Sequence, residues 1–117
     1  MIATEIHHGL HLLADFHGVD SALLCDGDSL SRLMRDAATA AGATVLGAHF
    51  HGFGNRMGVT GVVLLAESHL SVHTWPESGY AAFDIFMCGE LQPRIALKLL
   101  ASAMDPVRSE VQEVRRG

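Results

Sequence analysis

Leu65-Ala66-Glu67-Ser68-His69-Leu70-Ser71-Val72-His73-Thr74-Trp75-Pro76-Glu77 joins two strand-like runs across a junction that carries unusual chemistry for a plain connection. Ahead of it, residues 59–66 form a near-continuous apolar run, the pattern of a strand buried on both faces. Behind the Glu67-Ser68 junction, Leu70, Val72 and Thr74 alternate with Ser71, His73 and Trp75, the period-two signature of a strand. Pro76 ends that strand because it cannot donate to a ladder. The junction between them holds a serine flanked by a carboxylate and a histidine, with His73 and Glu77 close behind.

Working outward, Leu10, Leu12, Ala14 and Phe16 alternate with His11, Leu13 and Asp15, predicting a strand over 10–16. Asp26-Gly27-Asp28-Ser29 is turn and cap material, since short polar side chains accept from the first free amides of a helix. Leu30, Leu33, Met34, Ala37, Ala38 and Ala41 then fall on one helical face, and Gly42 can close the last turn, which predicts a helix over 29–41. A strand over 44–51 follows, with His49 and His51 opposite Phe50. Three glycines make 52–58 a loop. After the central stretch, 80–87 reads as a strand whose Tyr80, Ala82, Asp84 and Phe86 share a face with Cys88. Pro93 opens a second helix with Ile95, Ala96, Leu99, Leu100 and Ala103 on one side. Asp105-Pro106 stops it, 107–114 is a weaker last strand, and Arg115-Arg116 reads as a short mobile tail. The order β-α-β-β-β-β-α-β predicts an α+β two-layer sandwich, a mainly antiparallel sheet with two helices on one face.

A chain of 117 residues is expected to form one domain. Its 49% hydrophobic content and mean hydropathy of +0.25 exceed what so short a chain buries alone, which predicts a homo-oligomer that covers a second sheet face. A net charge of −5 without a basic run excludes a nucleic-acid partner. No apolar run approaches the ~20 residues needed to span a bilayer, so no membrane partner is expected. The N-terminus lacks the basic start and apolar core of a signal peptide, and Cys25 and Cys88 are too few for a disulfide framework. The expected location is the cytoplasm.

Several chemistries fit individual residues of the central stretch. Ser68 with His69 or His73 suggests a hydrolase nucleophile and base, but the Gly-x-Ser-x-Gly elbow is absent. His69 and His73 would share a face only on a helix, and His-Glu-x-x-His is absent, so zinc hydrolysis is not expected. His7, His8 and His11 have no complementary ligand pattern nearby and read as solvated histidines near a terminus, while His49 and His51 read as two polar residues on one strand face, so no metal is assigned. A structural serine at a strand junction is the remaining bland meaning of Ser68.

Taken whole, the stretch resembles the processing segment of the bacterial and archaeal S-adenosylmethionine decarboxylases, and the match continues through Gly79-Tyr80-Ala81-Ala82-Phe83-Asp84 to Cys88-Gly89-Glu90. The resemblance implies a proenzyme that cuts itself between Glu67 and Ser68 into chains 1–67 and 68–117, Ser68 becoming a pyruvoyl cofactor. It implies that the Ser68 hydroxyl attacks the Glu67 carbonyl to give an ester and that His73 assists the following β-elimination. Thr60, in Gly58-Val59-Thr60-Gly61, matches a processing serine of the family. Cys88 matches the proton donor of the later decarboxylation, a task separate from processing; an ordinary thiol is mostly protonated at neutral pH. The resemblance further implies a homodimer, or dimer of αβ heterodimers, that stacks two sheets face to face.

The same resemblance implies a small-molecule substrate, S-adenosylmethionine, decarboxylated for spermidine synthesis. Phe53 and Trp75 occupy the positions that sandwich adenine, and Glu77 an acidic position suited to ribose hydroxyls. The chain departs from the family at Gly54-Asn55-Arg56-Met57, where the usual loop is shorter and more apolar. Some relatives use the same cofactor on L-ornithine or L-arginine, for which Glu77 and Asp84 would face the distal cation. An unprocessed homologue serving as a binding or regulatory subunit is the rival from another class, and retention of Ser68, His73 and Cys88 together argues against it.

Overall fold

The computed structural model describes residues 8–117 and arranges them as one six-stranded sheet covered on one side by helices. In chain order the elements are β1 (Gly9–His17), α1 (Ser21–Leu24), α2 (Gly27–Ala40), β2 (Val45–Gly52), β3 (Val59–Leu65), β4 (Ser68–Trp75), β5 (Tyr80–Cys88), α3 (Pro93–Met104) and β6 (Arg108–Arg116). The sheet order is β2-β3-β4-β5-β1-β6, and every neighbouring pair is antiparallel. The predicted α+β two-layer architecture is the one observed. No helix among the described residues is long and apolar enough to cross a membrane.

The period-two pattern builds the core directly. Leu12, Ala14 and Phe16 of β1, Leu70 and Val72 of β4, and Phe83, Ile85 and Met87 of β5 all face the helices and are buried. Against them α2 sets Leu30, Met34, Ala37 and Ala38, and α3 sets Ala96, Leu100 and Met104. The alanines let the helix backbones approach the sheet closely. Asp26 starts α2 two residues ahead of the position predicted from Ser29. Its carboxylate accepts from the Ser29 amide at 3.1 Å and the Ser29 hydroxyl at 2.7 Å, and those bonds hold its pKa below the usual carboxylate value.

Four expectations change. The short α1, capped by Asp20, has too few residues to show a helical period. Arg115 and Arg116 are not a loose tail but the end of β6, paired with Leu10 and Gly9. β3 is buried on one face only, since Thr60, Val62 and Leu64 point to the side without helices and Leu64 is 54% exposed. His11 is not a solvated terminal histidine but lies on that same open face, hydrogen-bonded to Asp84. His7 lies outside the described residues.

Two glycines and a threonine hold the strands that carry the central stretch. A side chain on Gly61 would collide with the Phe50 ring, and one on Gly58 with the Thr74 carbonyl, so both close approaches require glycine. Thr74 is buried, and its hydroxyl accepts from the Val59 amide at 2.8 Å and donates to the Leu24 carbonyl at 2.7 Å. One hydroxyl thus ties β3, β4 and α1 together. Thr74→Val keeps the shape but strands a buried amide and a carbonyl, so urea denaturation should show a loss of about 1–3 kcal/mol.

Candidate active site

β3 and β4 are joined by the two residues Ala66 and Glu67, with Leu65 and Ser68 as the last cross-strand pair. So tight a reversal needs a positive φ, and here Glu67 supplies it at φ 60° although it is not glycine. A side-chain-bearing residue in that region costs about 1–2 kcal/mol. The strain sits on the residue whose carbonyl forms the Glu67-Ser68 bond.

The end of β5 closes on this turn. The β4–β5 register, with His69 opposite Phe86, carries Cys88 alongside Ser68. The Cys88 amide donates to Ser68 Oγ at 3.0 Å, and the Cys88 thiol donates to the Glu67 carbonyl at 2.9 Å. Ser68 is 9% exposed, whereas Cys88 remains partly open to solvent. Glu67 and Cys88 also line a cavity of about 560 Å³ with Thr44, Glu90 and Gln92. Glu67, Ser68 and Cys88 are therefore brought together.

The other predicted site residues form a second cluster at the far end of the same strands. Phe53, Arg56, Met57, Thr60, His73, Trp75 and Glu77 line a cavity of about 340 Å³, within the size range of small-molecule sites. Thr60 Oγ1 and His73 Nδ1 are hydrogen-bonded at 3.1 Å across β3 and β4. Phe53 is 56% and Trp75 41% exposed, so flat apolar surface is presented to the opening. The 53–58 loop does border this cavity, as expected, and brings Arg56 into it.

Within one chain the two clusters do not meet. Ser68 and His73 lie five residues apart on one strand, roughly 16 Å by strand rise, and an odd spacing puts their side chains on opposite faces. His73 therefore does not reach its own chain's Ser68. Asp84 joins neither cluster. It sits mid-face, accepting from His11 Nε2 at 3.0 Å and from the Ser71 hydroxyl at 3.1 Å. Arg116 approaches His11 Nδ1 at 3.2 Å, so that nitrogen accepts and Nε2 carries the proton given to Asp84. A carboxylate so engaged does not serve as the counter-ion of a distal ammonium in the Phe53–Trp75 cavity. Among the described residues no group of three or more potential ligands is arranged to hold a metal ion.

Sequence reasoning missed the support of Trp75. Tyr80 stacks on Trp75 with centroids 5.0 Å apart and 17° between planes, and His17 stacks on Tyr80 at 5.0 Å and 10°. The Tyr80 hydroxyl donates to Asp15 at 2.6 Å. The cross-strand pairing of Trp75 with Tyr80 creates the stack, and nothing local in the sequence announces a pairing.

The family model described as S-adenosylmethionine decarboxylase matches residues 10–117. An S-adenosylmethionine decarboxylase proenzyme of Caldanaerobacter subterraneus subsp. tengcongensis is 44% identical over 110 residues, covering 93% of this chain and 88% of that protein. One from Thermodesulfovibrio yellowstonii is 42% identical over 110 residues, covering 93% and 81%. One from Methanococcus aeolicus is 39% identical over 112 residues, covering 95% of each. The crystal structure of the adenosylmethionine decarboxylase from Aquifex aeolicus VF5 superposes with a TM-score of 0.87 at 36% identity, covering 95% of this chain and 92% of that one.

The hydrogen bond to Asp15, then burial and the Asp15 charge, push the Tyr80 phenol up to about 12. The neutral phenol is favoured by the fold, so its contribution to stability is complete below about pH 10, the ordinary tyrosine value, and is lost as pH rises through 12. Tyr80 is the only tyrosine in the chain, so an ultraviolet phenolate titration reports it alone. Asp15→Asn should move the observed midpoint downward.

Proposed function

The chain belongs to the S-adenosylmethionine decarboxylase family, and from that premise we propose an enzyme that makes a pyruvoyl group from its own Ser68. Its reaction is the release of CO₂ from S-adenosylmethionine, giving the aminopropyl donor for spermidine synthesis. The observation that carries the reading is the convergence of a strained Glu67, the Ser68 hydroxyl and Cys88 at one turn.

The residues fit the making of such a group. Ser68 Oγ adds to the Glu67 carbonyl carbon, and the peptide C–N bond then breaks with protonation of nitrogen, leaving an ester. Loss of the Ser68 Cα proton expels the Glu67 carboxylate, and water then replaces the nitrogen, which leaves as ammonia. Holding hydroxyl and carbonyl in one rigid turn supplies proximity, worth up to ~7–11 kcal/mol in favourable intramolecular cases. Once formed, the pyruvoyl group supplies the carbonyl electron sink that amino-acid decarboxylation needs. Cys88 is then the residue placed to return a proton to the substrate carbon.

His73 and Thr60 enter from a second copy. The midpoint between Ser68 and His73 on β4 falls at Leu70 and Ser71, and Ser71 pairs with Asp84 in mid-sheet. A twofold axis through that point, with two open faces stacked, would lay the His73 end of one chain over the Ser68 end of the other. Leu13, Leu64 and Val114, exposed on that face, supply apolar surface for such a contact. The Phe53–Trp75 cavity would then hold the nucleoside while its reacting end reaches the partner's residue 68. Arg56 in the cavity opposes the distal cation of ornithine or arginine, and Asp84 lies elsewhere.

Intact-mass measurement should find chains 1–67 and 68–117 in the wild type and a single chain in Ser68→Ala; cleavage of that variant at the same bond would refute the assignment of Ser68. When Ser68→Ala and His73→Ala chains are co-expressed, only the His73→Ala chain should be cut, because the other chain's intact His73 would lie over its Glu67-Ser68 turn. Carboxyl-labelled S-adenosylmethionine, ornithine and arginine assayed side by side should give labelled CO₂ only from the first. Phe53→Ala and Trp75→Ala should each raise KM roughly 5- to 150-fold, the range of a lost base stack, with little change in kcat. Cys88→Ala enzyme that has been cleaved should lose ~10²–10⁴ in turnover.

A further inference from the structure

Asp15, His17 and Tyr80 do not line the Phe53–Trp75 cavity, yet all are tied to Trp75, which does. The Tyr80 ring on β5 lies between Trp75 on β4 and His17 on β1, nearly parallel to both. Its hydroxyl donates to Asp15 at 2.6 Å, and His17 Nε2 stands 3.6 Å from the Glu110 carboxylate on β6. One aromatic wall of the cavity is thus anchored through β5, β1 and β6. We infer that Tyr80 and Asp15 are positioning residues for substrate binding, which act through Trp75 by holding its indole in place for the base. This rests on the decarboxylase reading above, which puts the nucleoside of S-adenosylmethionine in this cavity.

Trp75 is the last residue of β4 and is 41% exposed. A large side chain at such a strand end is free to change rotamer, and freezing it when a base binds costs affinity. The Tyr80 ring removes that freedom by covering one face of the indole. A phenol alone would carry the same freedom to the next position. Two restraints prevent this: His17 covers its second face, and Asp15 fixes its hydroxyl end. A hydroxyl donating to a carboxylate is among the stronger hydrogen bonds, so the ring has one favoured setting.

The arrangement exceeds what the hairpin needs. Trp75 and Tyr80 flank the turn at Pro76–Ser78, and a cross-strand aromatic pair steadies any such connection. Phenylalanine at position 80 would serve that purpose as well as tyrosine. Here the phenol also engages a charged group on a third strand, on the sheet face without helices, where no core burial is gained. The hydroxyl–carboxylate pair fixes orientation, and orientation matters where a flat ligand has to meet the neighbouring ring.

Trp75 is the only tryptophan in the chain, so its fluorescence anisotropy, excited beyond tyrosine absorption, reports its motion alone. The test uses self-cleaved enzyme, with KM and kcat for S-adenosylmethionine and the dissociation constant of adenosine read from Trp75 quenching. Tyr80→Leu should raise KM and the adenosine constant roughly 2- to 13-fold, the worth of one aromatic pair, and lower the anisotropy. Its kcat should stay within about twofold, since the reacting end of the substrate is untouched. Tyr80→Phe and Asp15→Ala keep the ring, fold without a lost stack, and should each give a smaller change in the same direction. Their combination should do no worse than either alone, because both break one bond. Wild-type adenosine affinity in all these variants would overturn the proposal, as would additive effects of Tyr80→Phe and Asp15→Ala. Weaker binding with unchanged Trp75 anisotropy, or a fall in kcat at constant KM, would overturn it too. A wild type that neither binds adenosine nor releases CO₂ from S-adenosylmethionine would instead remove the reading on which it rests.

Discussion

The two-residue reversal at Ala66-Glu67 is the constraint on which the site depends. A loop that short fixes the β3–β4 register, because only the Leu65–Ser68 pairing leaves two residues to turn. That register decides which face receives Thr60 and His73 and which receives Val63 and Leu70. It also forces Glu67 to φ 60°, where a glycine would sit without strain. Keeping glutamate there stores local strain at the peptide carbonyl that Cys88 and Ser68 surround, and the buried ladders on either side prevent its relief.

The same sheet separates two kinds of surface. One face is closed by α2 and α3 over an apolar core, with Ser68 and Thr74 as its buried polar residues. The other carries His11, His17, His49, His51, His69 and His73 among Leu13, Leu64, Phe86 and Val114. Its centre is not loose: Asp84, His11, Ser71 and Arg116 form a continuous polar network, and the Arg116 guanidinium lies 5.9 Å from the Phe86 ring centre. The face is thus ordered and half apolar. Asp84, His11, Ser71 and Arg116 at its centre already have partners, so covering them carries a smaller desolvation cost.

The His17–Tyr80–Trp75 stack fixes an aromatic surface at one end of that face. A lone Trp75 on an exposed strand end would sample several rotamers. Stacked on Tyr80, whose hydroxyl is tied to Asp15, it is held at the wall of the cavity that Phe53 also lines. Preorganisation of that kind lowers the ordering cost of binding.

The sequence by itself determined most of the elements, most of their faces and the unusual composition of the Glu67-Ser68-His69 junction. Period-two alternation placed Ala82, Asp84, Phe86 and Cys88 together, Gly42 and Pro93 marked helix ends, and Glu67-Ser68-His69 stood out from a plain connection. Local steric and hydrogen-bond preferences act over a few residues and leave that record in the chain. Register and strand extension do not, because they emerge only when distant segments pair. Tertiary structure alone therefore decided that Cys88 reaches Glu67 and Ser68 across twenty residues, that Asp84 belongs to His11 and Ser71, and that Tyr80 supports Trp75. It likewise put His73 beyond the reach of its own Ser68: an extended strand adds about 3.3 Å per residue and flips the side chain each time, so closeness in sequence became distance in space.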